Sequence, residues 1–100
     1  MAAYMIIFVS ISDREKFLAG YAPAASALVE EFGGQYLLRA QGAEILEGDL
    51  DPDSSVVISA WPDKPTALAF WNSAEYQKVK EQREGIANAR VAIIEAPDIT

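Results

Sequence analysis

Apolar residues recur along this chain in two rhythms, one with a period of two and one close to 3.6. Residues 4–11 read Tyr-Met-Ile-Ile-Phe-Val-Ser-Ile, almost without polar side chains. Such β-branched and aromatic runs predict a strand, with Tyr4, Ile6 and Phe8 on one face and Met5, Ile7, Val9 and Ile11 on the other. Both faces are apolar, so both should be covered. Ser12 and Glu15 have capping-box spacing and predict a helix directly after the strand. Its stripe of Phe17, Tyr21, Ala24, Ala25, Leu28 and Phe32 carries it to about Phe32. Gly20 and Pro23 fall inside it and predict a kink or a restart at Pro23. Gly33-Gly34 stops it.

Residues 35–41 read as a strand, with Tyr36, Leu38 and Ala40 on one face and Gln35, Leu37 and Arg39 on the other. Residues 43–47 form either a short strand or a continuation of that edge, and Gly48 to Ser55 is an acidic, turn-rich loop. Val56 to Trp61 is a third strand. Pro65 suits the first turn of a second helix. Asn72 with Glu75 repeats the capping-box spacing, so this helix breaks there and restarts through about Glu84. Residues 90–96 form the last strand, and Pro97 ends it. The order is β-α-β-β-α-β, the ferredoxin-like pattern, in one α+β domain of 100 residues with a four-stranded antiparallel sheet. The first and third strands, the most apolar, belong at its centre.

Two helices cover only one side of such a sheet. The other side would expose a patch larger than monomers usually tolerate. A second copy packed sheet against sheet is the economical cover, giving a homodimer. The alternative cover is the 42–55 loop.

Composition narrows the chemistry. The chain has no histidine and no cysteine, which removes the imidazole base, the thiolate nucleophile and the usual ligands of zinc, iron and haem. No metal site or cofactor is expected. Fifteen acidic residues against eight basic ones give a net charge of −7, which disfavours nucleic acid and anionic lipid as partners. No apolar run reaches the roughly 18 residues of a membrane span. The apolar start has no basic n-region and reads as a strand rather than a signal peptide, so a cytoplasmic protein is the expectation.

Three groups of residues could carry a site. Arg39, near apolar surface, calls for a carboxylate, either a ligand's or that of Glu44 or Glu47. Glu47 could act as a base in a partly apolar cleft, or simply neutralise Arg39. Glu44, Glu47, Asp49, Asp51 and Asp53 form an acidic run without the spacing of a calcium loop, and read as a solvated loop. Trp71, Asn72, Ser73 and Tyr76 form a polar-aromatic group at the helix break, able to orient a small ligand or to serve as caps and core. Arg83, one turn beyond Val79, is a further ligand-binding candidate, or else pairs with Glu84, Glu81 or a neighbouring strand. Any base must be Glu47, Tyr36 or Tyr76.

The segments Gly33-Gly34-Gln35-Tyr36-Leu37-Leu38-Arg39, Glu44-Ile45-Leu46-Glu47-Gly48 and Ala67-Leu68-Ala69-Phe70-Trp71-Asn72-Ser73-Ala74-Glu75-Tyr76 resemble the family called domain of unknown function 1330. The resemblance runs from about Tyr4 to Ala96. Gln35, Trp71 and Ala74 stand where the family more often has a basic residue, a tyrosine and a proline. It implies a dimeric α+β barrel, in which two ferredoxin-like subunits join their sheets, and it brings no established activity. Cofactor-independent monooxygenases of that wider group use comparable aromatic and amide pockets, a fold-level analogy. The expectation is a dimer that binds, or binds and transforms, a small organic molecule in a pocket lined by Tyr36, Arg39, Trp71, Ser73 and Tyr76. A non-catalytic sensor or interaction module is the alternative.

Overall fold

The structure, a computed structural model, describes residues 1–97. Strands β1 (Ala2–Ile11), β2 (Gln35–Ala40), β3 (Ser55–Trp61) and β4 (Ala87–Ala96) form one antiparallel sheet in the order β2-β3-β1-β4. The two most apolar strands are central, as their two-faced composition requires. Helices α1 (Arg14–Lys16), α2 (Ala22–Glu31), α3 (Lys64–Trp71) and α4 (Ala74–Lys80) lie on one side of it, with a π segment (Phe17–Tyr21) joining α1 to α2 and a 3₁₀ turn (Glu81–Arg83) after α4. The principal extents of 35 × 34 × 17 Å are those of one sheet and one helical layer.

Both helix starts fall one residue later than the capping-box spacing predicts. Ser12 still donates its backbone N–H to the Ile86 carbonyl at 2.8 Å, and Asp13 caps α1 by accepting from the Lys16 amide at 3.1 Å. Asn72 closes α3, and Ser73 caps α4 through the Tyr76 amide at 3.0 Å. Segment 43–47 is not a strand. It belongs to an irregular loop over residues 41–54 pinched by bonds between Ala43 and Ser54 and between Asp53 and Ala43.

The larger correction concerns β2. A bulge between Tyr36 and Leu38 sets Tyr36 opposite Ser59, Leu38 opposite Ile58 and Arg39 opposite Val57. Two residues then oppose one, and the alternation slips by a position. Tyr36 and Arg39 consequently share the helix-covered face, while Gln35, Leu38 and Ala40 lie on the other.

The core packs between the sheet and α2 to α4. Met5, Val29, Trp61, Phe70 and Tyr76 are its large members, with Ala3, Ala25 and Ala67 where helix and strand approach closely. The Trp61 indole N–H donates to the buried Ser59 hydroxyl at 2.9 Å. Gly34 lies beneath that ring: a Cβ there would stand 2.7 Å from it. The opposite sheet face carries Tyr4, Ile6 and Phe8 beside Ile94, Ile58 and Val56 in register. The 41–54 loop reaches one corner of this face, where Arg90 donates to the Asp49 carbonyl at 2.8 Å. Leu38 and Ile94 remain 41% and 55% exposed.

Candidate ligand site

The helical layer fills only part of the covered face. Beside the π segment it leaves a cavity of about 90 Å³ over Ile7, Val9, Val57 and Val91. Its origin is local. Pro23 lacks an amide proton, and in a regular helix its ring would press on the carbonyl four residues back. The chain widens there, and Ala22 donates to the carbonyl of Phe17, five residues earlier. The wider turn brings the rings of Phe17 and Tyr21 to 5.0 Å of each other at the cavity wall. Gly20 permits a close approach to the 3₁₀ turn after α4, since a Cβ would lie 2.9 Å from the Gln82 side chain. The neighbouring Arg83 guanidinium thereby reaches to 5.5 Å from the centre of the Tyr21 ring.

Three further polar groups come from other elements. Tyr76 is buried, and its hydroxyl is 2.7 Å from that of Tyr21. Tyr36 and Arg39 arrive from β2, with the guanidinium 4.7 Å above the phenol ring. Burial, chiefly, and then Tyr76 push the Tyr21 phenol far above the ordinary range, with Arg83 opposing weakly. Tyr36 is also raised by burial, against the pull of Arg39. Both are therefore neutral hydrogen-bonding groups at neutral pH rather than bases. The Arg83 Nε is buried and has no hydrogen-bond acceptor among the described residues.

The cavity opens towards the strand ends. A second space of about 250 Å³ shares Val9, Phe17, Ala22, Arg39 and Val57 with it and is edged by Arg14, Gln41 and Ser55. Among the described residues, the Arg14 guanidinium makes one hydrogen bond, a long one of 3.5 Å to the Ser55 hydroxyl.

Of the residues singled out by sequence, Tyr36, Arg39, Tyr76 and Arg83 meet at the cavity. Trp71, Asn72, Ser73 and Glu47 do not line it. Trp71 stacks on Tyr76 at 5.2 Å, with the Lys80 ammonium 4.7 Å over its ring. Asn72 is exposed, and Ser73 spends its hydroxyl on the Tyr76 amide and the Phe70 carbonyl. Glu44 and Glu47 are exposed on the loop, and the Arg39 guanidinium lies against Tyr36. Sequence reasoning passed over Phe17, Tyr21 and Arg14. The first two belong to the apolar stripe of a helix and look like core; Gly20 and Pro23, which flank Tyr21, were the available clue.

The chain matches the model of the domain of unknown function DUF1330 over residues 2–97. It belongs to the DUF1330 family. No curated protein matches it. Among solved structures, it is similar to a protein of unknown function from Rhodopseudomonas palustris, at 16% identity and a TM-score of 0.78, over 98% of this chain and 84% of that one. It is also similar to SnoaB, a cofactor-independent oxygenase from Streptomyces nogalater, at 10% identity and a TM-score of 0.71, over 98% and 95% of the two chains. A third similar structure is an uncharacterised NIPSNAP domain protein from Burkholderia xenovorans, at 12% identity and a TM-score of 0.60, over 100% and 98%. At such identities these neighbours show the fold, and this DUF1330 member shares it.

Proposed function

We propose that this DUF1330 protein binds a small organic molecule in the cavity between the sheet and the π segment. The observation that carries the reading is the buried Nε of Arg83, without an acceptor among the described residues, on the wall of a cavity with an apolar floor. A buried donor without an acceptor costs about 1–3 kcal/mol. A carbonyl or phenolic oxygen on a ligand would satisfy it, and the apolar floor would take the ligand's carbon skeleton. Phenol and cyclohexane-1,3-dione are suitable probes. We expect either to raise the melting temperature and to shift the Arg83 Nε–H resonance in an NMR titration, and Arg83→Met to abolish the rise in melting temperature. Probes that move neither quantity would remove the reading.

The same groups suit an oxyanion. A guanidinium beside neutral phenols stabilises an enolate or phenolate, the electron-rich form that reacts with dioxygen without a cofactor. The likeness to SnoaB favours this chemistry over a purely sensory role. Oxygen consumption with a bound enol, lost in Arg83→Met, is the expected result.

The open sheet face supports a homodimer as the form that does this. Leu38 and Ile94 are exposed beside Ile58, Ile6 and Tyr4, a patch of the kind a second copy covers. Light scattering should give twice the chain mass, and Ile94→Lys should shift it towards the monomer.

A further inference from the structure

Resting on the reading above, we infer that the natural ligand is an elongated carboxylic acid whose uncharged body fills the inner cavity while its carboxylate sits at the outer mouth. The two spaces adjoin, since both are lined by Val9, Phe17, Ala22, Arg39 and Val57, and a ligand longer than the inner cavity would run from one into the other. Its lining changes along that length. The inner floor is valine and isoleucine, whereas the mouth is edged by Arg14, Arg39, Gln41 and Ser55.

Charge placement runs against the composition. The chain has a net charge of −7 and only four arginines, and three of them, Arg14, Arg39 and Arg83, line this one cleft. Among the described residues, no aspartate or glutamate lines either space. A protein repels anions over most of its surface and offers them one cationic lane. That lane would concentrate and orient an acid.

The two mouth arginines are also chemically available. Arg39 lies 4.7 Å over the Tyr36 ring, a cation–π contact that uses none of its N–H donors and leaves them for a carboxylate. Among the described residues, the one side-chain hydrogen bond of Arg14 is the long contact to Ser55, which a charge-assisted bond would readily replace. The deeper Arg83 meets the ligand's neutral oxygen or ring edge, so the two ends of the cleft read different groups.

The test uses three probes on the full chain by calorimetry: 4-phenylbutyrate, 4-phenylbutan-1-ol and phenol. The acid should bind about tenfold tighter than the alcohol, the scale of one charge-assisted hydrogen bond at a partly exposed site, and 0.5 M salt should narrow the gap. Arg14→Gln and Arg39→Gln should each shrink the preference to about two- to threefold. Equal affinity for acid and alcohol would overturn the inference and leave the preceding proposal standing. So would an acid preference that survives in both variants, because the carboxylate would then sit at Arg83. Binding of phenol without either longer probe would show the cleft to be closed and overturn it too. Failure of all three probes would remove the underlying reading itself.

Discussion

One face of one sheet carries two different interiors. Towards Trp61 the helices close down on it: Phe70 lies 5.0 Å from Trp61, 5.9 Å from Phe32 and 4.5 Å from Tyr76, and aromatic rings fill the space between layers. Towards Val9 and Val57 the same layer leaves a cavity whose wall carries tyrosines and arginines. The packed end is covered by the regular helix α3. The hollow end is covered by a π segment and the 3₁₀ turn that holds Arg83. A helix in register with the sheet buries its side chains efficiently; one widened by a turn holds its backbone off the sheet and leaves room beneath. Function, on this view, occupies the place where the helix is irregular.

The comparison can be broken most directly by truncation on each side. Phe70→Ala should cost about 3–5 kcal/mol, as large aromatic deletions in packed cores do. Phe17→Ala, at the part-exposed cavity wall, should cost clearly less in the same urea titration. Equal losses would mean that the two ends are packed alike. Next in size is Gly34→Ala. The new methyl would press on the Trp61 ring, which is buried and tied to Ser59, so a loss of about 1–3 kcal/mol is expected. Gly20→Ala, facing only the end of the Gln82 side chain, should be nearly neutral.

Tyr21→Phe tests the hollow end. It removes one partner of the 2.7 Å phenol pair and should cost about 1 kcal/mol at neutral pH. It should also alter the alkaline limb. Burial raises the Tyr21 and Tyr36 phenols, so the folded chain holds these protons more tightly than the unfolded one. Their stabilisation is complete below about pH 10, the unfolded phenol value, and is lost as the pH climbs through the raised folded values. The variant should lose stability less steeply above pH 10, with Tyr36 supplying what remains. Arg83→Met should cost nothing in stability. Replacing an unpartnered buried donor with an apolar chain of similar length removes the penalty of that donor and should leave the chain no less stable while abolishing probe binding. A large loss of stability there would make Arg83 a structural residue and the cavity incidental.

The strands were legible because their alternation and apolar content survive any tertiary detail. Ala2–Ile11 and Ser55–Trp61 extend the predicted runs by only a residue or two, and their two-faced composition put them at the centre of the sheet. The helix break before Tyr76 was legible as well, although its cap is Ser73 and not Asn72. Both hydroxyl and amide side chains cap, and only the backbone path chooses between neighbours. The sharing of one face by Tyr36 and Arg39 was not legible. Strict alternation separates positions three apart, and a bulge leaves no mark in β2 that distinguishes it from a regular edge strand.

Local chemistry, then, determined the element order, the two-layer topology and the limits on any catalysis. Without histidine or cysteine, the polar groups available to a site are phenols, guanidinia, amides, hydroxyls and carboxylates. Tertiary structure decided which of them meet. It left Glu47 on an exposed loop, turned Trp71 and Ser73 to packing and capping, and brought Tyr21, Tyr36, Tyr76, Arg39 and Arg83 around one cavity. The reason is physical. Periodicity is a property of single segments, whereas a cavity is made where two segments fail to close on each other, here because Pro23 widens a helix and a bulge turns a strand.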